Sequence, residues 1–261
     1  LAKKGVDIVK VFLDGEAISG HAPVGVLSYT DDEVAAAVDE AHARGMRVVC
    51  HSRSAAAVKQ AVRHGIDIIG HANFLDDEAV QMLRDARDRI FVGPGIAWEV
   101  ALLDRGHEIG LPHDIMVTRG YQHEIDATID SVKRLRDAGV RVLVGGDYGL
   151  SITPHGTQGK ELEYCVELFG MSPTEALLCA TRDGGAAFDA AGMAGTLEAD
   201  TWADLVIVDG DPTVDVTVLQ DLGRICLVMK DGVAYRHLSD PAPYRWSDPD
   251  GRASSAASSR T

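Results

Sequence analysis

Lys10, His51, His71 and Asp147 each follow a short apolar run, and each is a residue type that can bind a metal ion. Four such side chains pointing inward from neighbouring strand ends form the kind of ring that hydrolyses a carbon-nitrogen bond with metal-bound hydroxide. Each residue alone has a plainer account. Lys10 could snorkel from an edge strand, either histidine could be one of the chain's ten filling an ordinary place, and Asp147 could be a turn residue between glycines. The ring matters only if the elements around it bring the four together.

Val6–Leu13, Met46–Cys50, Ile66–Gly70, Ile90–Val92 and Val140–Val144 are apolar runs without strict alternation, the pattern of buried parallel strands. Between them lie segments of helical spacing. Asp32–Arg44 starts after Thr30 and stops at Gly45, Ala55–His64 starts at Ser54 and stops at Gly65, and Ala79 to about Arg87 follows Asp76-Asp77-Glu78. The phrase helix, Gly, strand, ligand recurs at Gly45, Gly65 and Gly139. Such a chain builds either an open doubly wound sheet or a (β/α)8 TIM-type barrel, and convergent strand ends favour the barrel.

Only five barrel strands are legible, read as strands four to eight, so residues 1–194 are expected to be the carboxyl-terminal part of a barrel from a longer protein. The opening Leu1-Ala2-Lys3-Lys4 suits that expectation. Residues 195–238 read as a β module, part of a small composite β-sandwich, with strands in Ala203–Gly210 and Arg224–Met229 and a tight hairpin at Lys230-Asp231-Gly232-Val233. Residues 239–261, rich in Ser, Pro, Asp and Ala, are expected to be a disordered tail. Open barrel edges predict that the isolated chain is poorly soluble or oligomeric.

Val9-Lys10-Val11-Phe12, the stretch Glu40–Gly45 leading to Val49-Cys50-His51, Ala61–His71, Gly145-Gly146-Asp147-Tyr148-Gly149, Met171–Leu177 and Ala203–Pro212 together resemble the metal-dependent amidohydrolase superfamily. The resemblance is to its imidazolonepropionase and Xaa-Pro dipeptidase-like branch, and runs in order from about Gly5 to about Arg236. It implies a lysine at position 10 carboxylated by carbon dioxide to bridge divalent ions, typically zinc, with His51 and His71 as further ligands. It also implies that Asp147 binds metal and takes a proton from the attacking water. The implied substrate is a small amide, urea, carbamate or dipeptide. Cyclic amide hydrolases and deaminases share these ligands, although Lys10 counts against a deaminase.

The sequence departs from the family in two places. Many relatives read Gly-Thr-Asp where this chain has Gly145-Gly146-Asp147, so a hydroxyl beside the ligand is missing. Together with Pro154-His155-Gly156-Thr157 and Val92–Trp98, that phrase looks closer to phenylurea and molinate hydrolases. The His-x-His pair that relatives carry on the first barrel strand occurs nowhere in the chain, so one or two ions would be held incompletely and the chain alone is expected to be inactive. The rival account is a non-catalytic, truncated barrel.

The Gly93-Pro94-Gly95 loop and the long connection to about His113 read as a substrate-covering loop. His113, Tyr148 and His155 are the candidates to touch substrate, with Trp98 and Tyr121 as further possibilities. His21, His42, His64, His107, His123 and His237 lack comparable strand context. No Gly-x-Ser-x-Gly elbow or phosphate-binding glycine loop is present. A net charge of -15 argues against a nucleic-acid partner. No apolar run reaches the roughly 20 residues of a membrane span. Cys50, Cys165, Cys179 and Cys226 are scattered as small core residues, which fits a cytoplasmic protein, and a homo-oligomer is expected for the full-length form.

Overall fold

Three helices start where their capping residues demand. The structure, a computed structural model, describes residues 3, 5–18, 23–188 and 192–237; His21 and the expected tail from 239 lie outside the described residues. Helix α1 (Asp31–His42) opens on a capping box in which Thr30 and Glu33 satisfy each other's exposed groups. Ser54 accepts from Ala57 N–H ahead of α2 (Ala55–Arg63), and Asp76 accepts from Ala79 N–H ahead of α3 (Asp77–Asp85). Gly45, Gly65 and Gly139 take φ values of 69°, 80° and 74°, the left-handed conformation that stops a helix and turns the chain into the next strand.

The strands those glycines introduce form one parallel sheet. Strands β1 (Ile8–Phe12), β2 (Arg47–Ser54), β3 (Ile68–Phe74), β4 (Phe91–Gly93) and β5 (Arg141–Val142) lie in sequence order. This is the expected α/β arrangement of five parallel strands. Among the described residues β1 and β5 each have one partner, and the sheet does not close on itself. Ile8 and Phe12 on the edge strand are 39% and 48% exposed, so an apolar margin faces outward.

Two expectations are corrected here. Lys10, His51 and His71 do not end their strands, because β1, β2 and β3 continue past them. The ladder also shifts register between Ser52 and Ser54, and His71 and Ala72 take left-handed φ values of 74° and 55°. The bend there turns the strand ends, as a bulge does. The supposed covering loop after Gly95 is largely helical. It contains α4 (Ile96–Arg105), a 3-10 turn (Gly106–Ile109) and α5 (His113–Thr118), followed by α6 (Tyr121–Asp137). The apolar faces of Ile96, Leu102, Met116, Tyr121 and Leu135 are fully buried, which is why this segment packs as helices instead of lying over the mouth.

Helices α7 (Gly159–Glu167), α8 (Pro173–Leu178) and α9 (Gly184–Phe188) follow, then a separate antiparallel sheet of β6 (Leu205–Val208), β7 (Ile225–Lys230) and β8 (Val233–His237). The β7–β8 hairpin turns at Asp231 and Gly232, with φ of 47° and 75°, as the Asp-Gly pair predicts. His237, read as lacking strand context, is the last residue of β8. Among the described residues no helix is long and apolar enough to cross a membrane.

Candidate active site

Parallel pairing sets β1, β2 and β3 side by side, and their side chains converge in one corner. Phe12 lies opposite His51 in the ladder. Its ring stacks on the imidazole at 4.5 Å between centroids and 19° between planes. His51 meets His71 edge to face at 4.4 Å. The Lys10 ammonium lies 5.0 Å from the Phe12 ring centre, on an exposed stretch of the edge strand. The sheet therefore gathers Lys10 and His51 around Phe12, with His71 against His51.

Burial decides the charge state of the two rings. It drives the His51 pKa down to about 4, with the Arg53 guanidinium adding repulsion. His71 is lowered well below its ordinary value, first by burial and then by Arg53, His51 and Lys10. Two neutral imidazoles in contact are suitable metal donors, since only the neutral ring has a free lone pair. His51 Nε2 lies 3.5 Å from the Gly15 carbonyl, whereas the buried His71 Nδ1 has no hydrogen-bond partner. An orphaned buried nitrogen is costly unless something else uses it.

Gly95 leaves room beside that nitrogen. A β-carbon on Gly95 would lie 2.8 Å from His71 Nδ1 and 3.8 Å from the Gly145 carbonyl. Its φ of 72° also excludes most side chains. Gly95 thus links the histidine corner to the strand end that leads into Gly145-Gly146-Asp147.

Asp147 itself stands apart. It is exposed, at a left-handed φ of 59°, in a turn closed by a 2.8 Å hydrogen bond from Gly149 N–H to the Thr153 carbonyl and by Thr153 Oγ1 donating to the Asp147 carbonyl at 3.2 Å. Among the described residues no three of His, Cys, Asp and Glu converge closely enough to hold a metal. The two histidines and the orphaned nitrogen fit half of a metal centre. Asp147 is not brought up to them.

The other candidates divide. Tyr148 donates to Glu161 Oε2 at 3.4 Å beneath the Asp147 turn. The His155 ring packs on Gly149, where a β-carbon would lie 3.1 Å from its Nε2. Both therefore belong to the Asp147 side. His113 is instead engaged in helix packing, with Nδ1 2.9 Å from the Leu103 carbonyl at the start of α5. Trp98 and Tyr121 are buried inside α4 and α6 and serve packing. His42 and His64 pair with Asp67 and Asp31 at 2.9 Å each, as ordinary helix histidines do.

Sequence reasoning missed the polar cluster behind the histidines. Arg53, fully buried, donates to Glu99 and Glu16 at 3.2 Å each and to Glu124. Asn73 Nδ2 donates to Glu99 at 2.5 Å, and Thr128 donates to the same carboxyl at 3.0 Å. Asp14 accepts the Arg53 and Ser54 N–H groups at 2.8 and 2.9 Å. Burial, then the neighbouring Glu124, raises Glu99 to about 8. Arg53 and Asn73 each sit two residues past a histidine, the spacing at which a strand repeats a face, and that was the available signal. Beside this cluster opens a cavity of about 550 Å³ lined by Glu16, Phe74, Arg119, His123 and Glu124.

Comparisons with known proteins bear on the family and the fold. The amidohydrolase family matches residues 2–234. A prolidase solved with N-methylphosphonate-L-proline superposes with a TM-score of 0.80 at 29% identity, over 90% of this chain and 56% of that one. Ochratoxinase of Aspergillus niger is 23% identical over 235 residues, 90% of this chain and 47% of the relative. Phenylurea hydrolase B shares the fold at a TM-score of 0.67 and 22% identity, covering 89% of this chain and 54% of that one. The chain thus spans about half the length of the relatives it matches. The match over residues 2–234 places the chain in the amidohydrolase family.

Proposed function

We propose that this chain supplies one side of the active centre of a metal-dependent hydrolase that cleaves a carbon-nitrogen bond in a small amide, urea, carbamate or dipeptide. The observation that carries the reading is the contact between two buried, neutral histidines on adjacent parallel strands, one with a nitrogen left unpartnered. His51 and His71 would hold a divalent ion, zinc being the usual choice for imidazole. Lys10, close by on β1, would join them as an anionic ligand once carboxylated. When bound, the metal supplies Lewis acidity toward the carbonyl and lowers the pKa of water.

The remaining work falls to the chain. Asp147, exposed and held by its turn, would accept a proton from water and return it to the departing nitrogen. Tyr148 and His155 flank that turn and would contact substrate. A dipeptide-type substrate leads the candidates because the prolidase relative was solved with a substituted L-proline. Residues 1–194 would form part of a TIM-type barrel and residues 195–238 part of a composite β-sandwich.

The test offers N-acyl amino acids, dipeptides, phenylureas and carbamates with zinc to this chain and to the chain joined to the portion of the prolidase it does not match. Hydrolysis in the joined protein, lost in Asp147→Asn, supports the reading. No hydrolysis of any class by either protein rejects it.

A further inference from the structure

The missing side chain at position 146 has a physical cause beneath it. A β-carbon on Gly146 would collide with the Tyr148 ring and with Glu161 Oε2, and would lie 2.9 Å from the Ala97 β-carbon. The space beside the Asp147 turn is already filled by a carboxyl reaching up from α7 and a ring folding back from the turn itself.

Glu161 is an unusual occupant. It is fully buried, its Oε1 has no hydrogen-bond partner, and its Oε2 accepts from the Tyr148 hydroxyl. No Lys or Arg pairs with it among the described residues, unlike Glu99 and Glu124, which share Arg53. Burial raises its pKa to about 8, so the group is a neutral acid at pH 7. A buried carboxyl without a cation is costly, and an apolar side chain would have filled the same volume with less penalty.

We propose that Glu161 is a positioning residue for Asp147: its carboxyl, lodged in the side-chain space that Gly146 leaves empty, pins Tyr148 and so fixes the turn that presents the Asp147 carboxylate. Gly146 and Glu161 then form a matched pair, in which the acid from α7 occupies the space that a side chain at position 146 would need. The catalytic part of this claim rests on the proposed hydrolase reading. The positional part does not.

The experiment reads amide hydrogen exchange in the full chain, using Gly149 N–H as the reporter of the turn and strands β2 and β3 as the reference. In Glu161→Ala the Gly149 amide should exchange about tenfold faster or more, with β2 and β3 amides unchanged, as expected for a local opening. Glu161→Gln, which keeps the shape and an acceptor for the Tyr148 hydroxyl, should restore the wild-type rate. Gly146→Thr should lower the melting temperature in the wild type and lower it less in a Glu161→Ala background, because one of its collision partners has gone. Unchanged Gly149 exchange, equal acceleration in turn and strands, or strictly additive melting shifts would overturn the proposal.

Turnover by the joined protein adds a separate arm. There Glu161→Ala should reduce kcat by about tenfold to a hundredfold with KM little changed, the signature of a misplaced group. Glu161→Gln should restore kcat. Normal kcat in Glu161→Ala would remove the catalytic role, whereas absence of turnover in every variant would count against the hydrolase reading alone.

Discussion

The two sides of the candidate site hold their functional groups by opposite means. His51 and His71 sit inside strands of eight and seven residues, paired on both edges and backed by the Arg53 cluster. Asp147 follows a strand of only two residues and hangs on a turn, backed by one carboxyl with no cation. The first side is rigid because the sheet fixes it. The second depends on a few side chains, and a site that must accept and release a proton gains freedom from that arrangement at the cost of local stability.

Breaking the histidine side through its backing should have the largest effect. Arg53→Met leaves Glu99, Glu124 and Glu16 without their shared guanidinium, and loss of one partner from a buried ion cluster costs about 3–5 kcal/mol. Urea denaturation should show that loss, and a change under 1 kcal/mol would mean that the cluster does not hold β2 and β3 in place.

Gly95→Ala should come next. It forces a side chain into a left-handed backbone and against His71 Nδ1, costing about 1–3 kcal/mol. Gly93→Ala is the control, since a β-carbon there meets nothing within 4 Å. Equal effects of the two substitutions would show that contact with His71 is not what constrains position 95.

A third test separates the two sides by pH. Glu161 has a folded pKa of about 8, above its ordinary 4.5, so its contribution to stability is complete below about pH 4.5 and declines as pH rises through about 8. Relative to Glu161→Gln, the wild type should therefore lose stability between pH 5 and 8 and then level off. Parallel pH profiles for the two proteins would contradict a buried neutral acid at this position.

The side that was legible in the sequence is the one made by regular structure. Capping residues at Thr30, Ser54 and Asp76 and glycines at 45, 65 and 139 announce the helix-strand repeats, and those repeats carry His51 and His71 to adjacent strands. The strand continuation past both histidines was not legible, because the left-handed backbone at His71 and Ala72 is rare outside glycine and leaves no compositional mark. The stretch from Gly95 to about His113 reads as a covering loop because it is long for a strand-helix connection, while tertiary burial of Ile96, Trp98 and Leu102 decides for helix. Arg53, Glu99, Glu124 and Glu161 were invisible for a related reason. A charged residue in a sequence reads as surface, and only the three-dimensional partners show that it is enclosed.

The central claim is that His51 and His71 form a shared metal-binding corner, and zinc bound per chain tests it most directly. A competition titration against a chromophoric chelator should show zinc binding by the wild-type chain that is lost in the His51→Ala/His71→Ala double variant and retained in His42→Ala/His64→Ala. Equal zinc binding by all three proteins would contradict the claim.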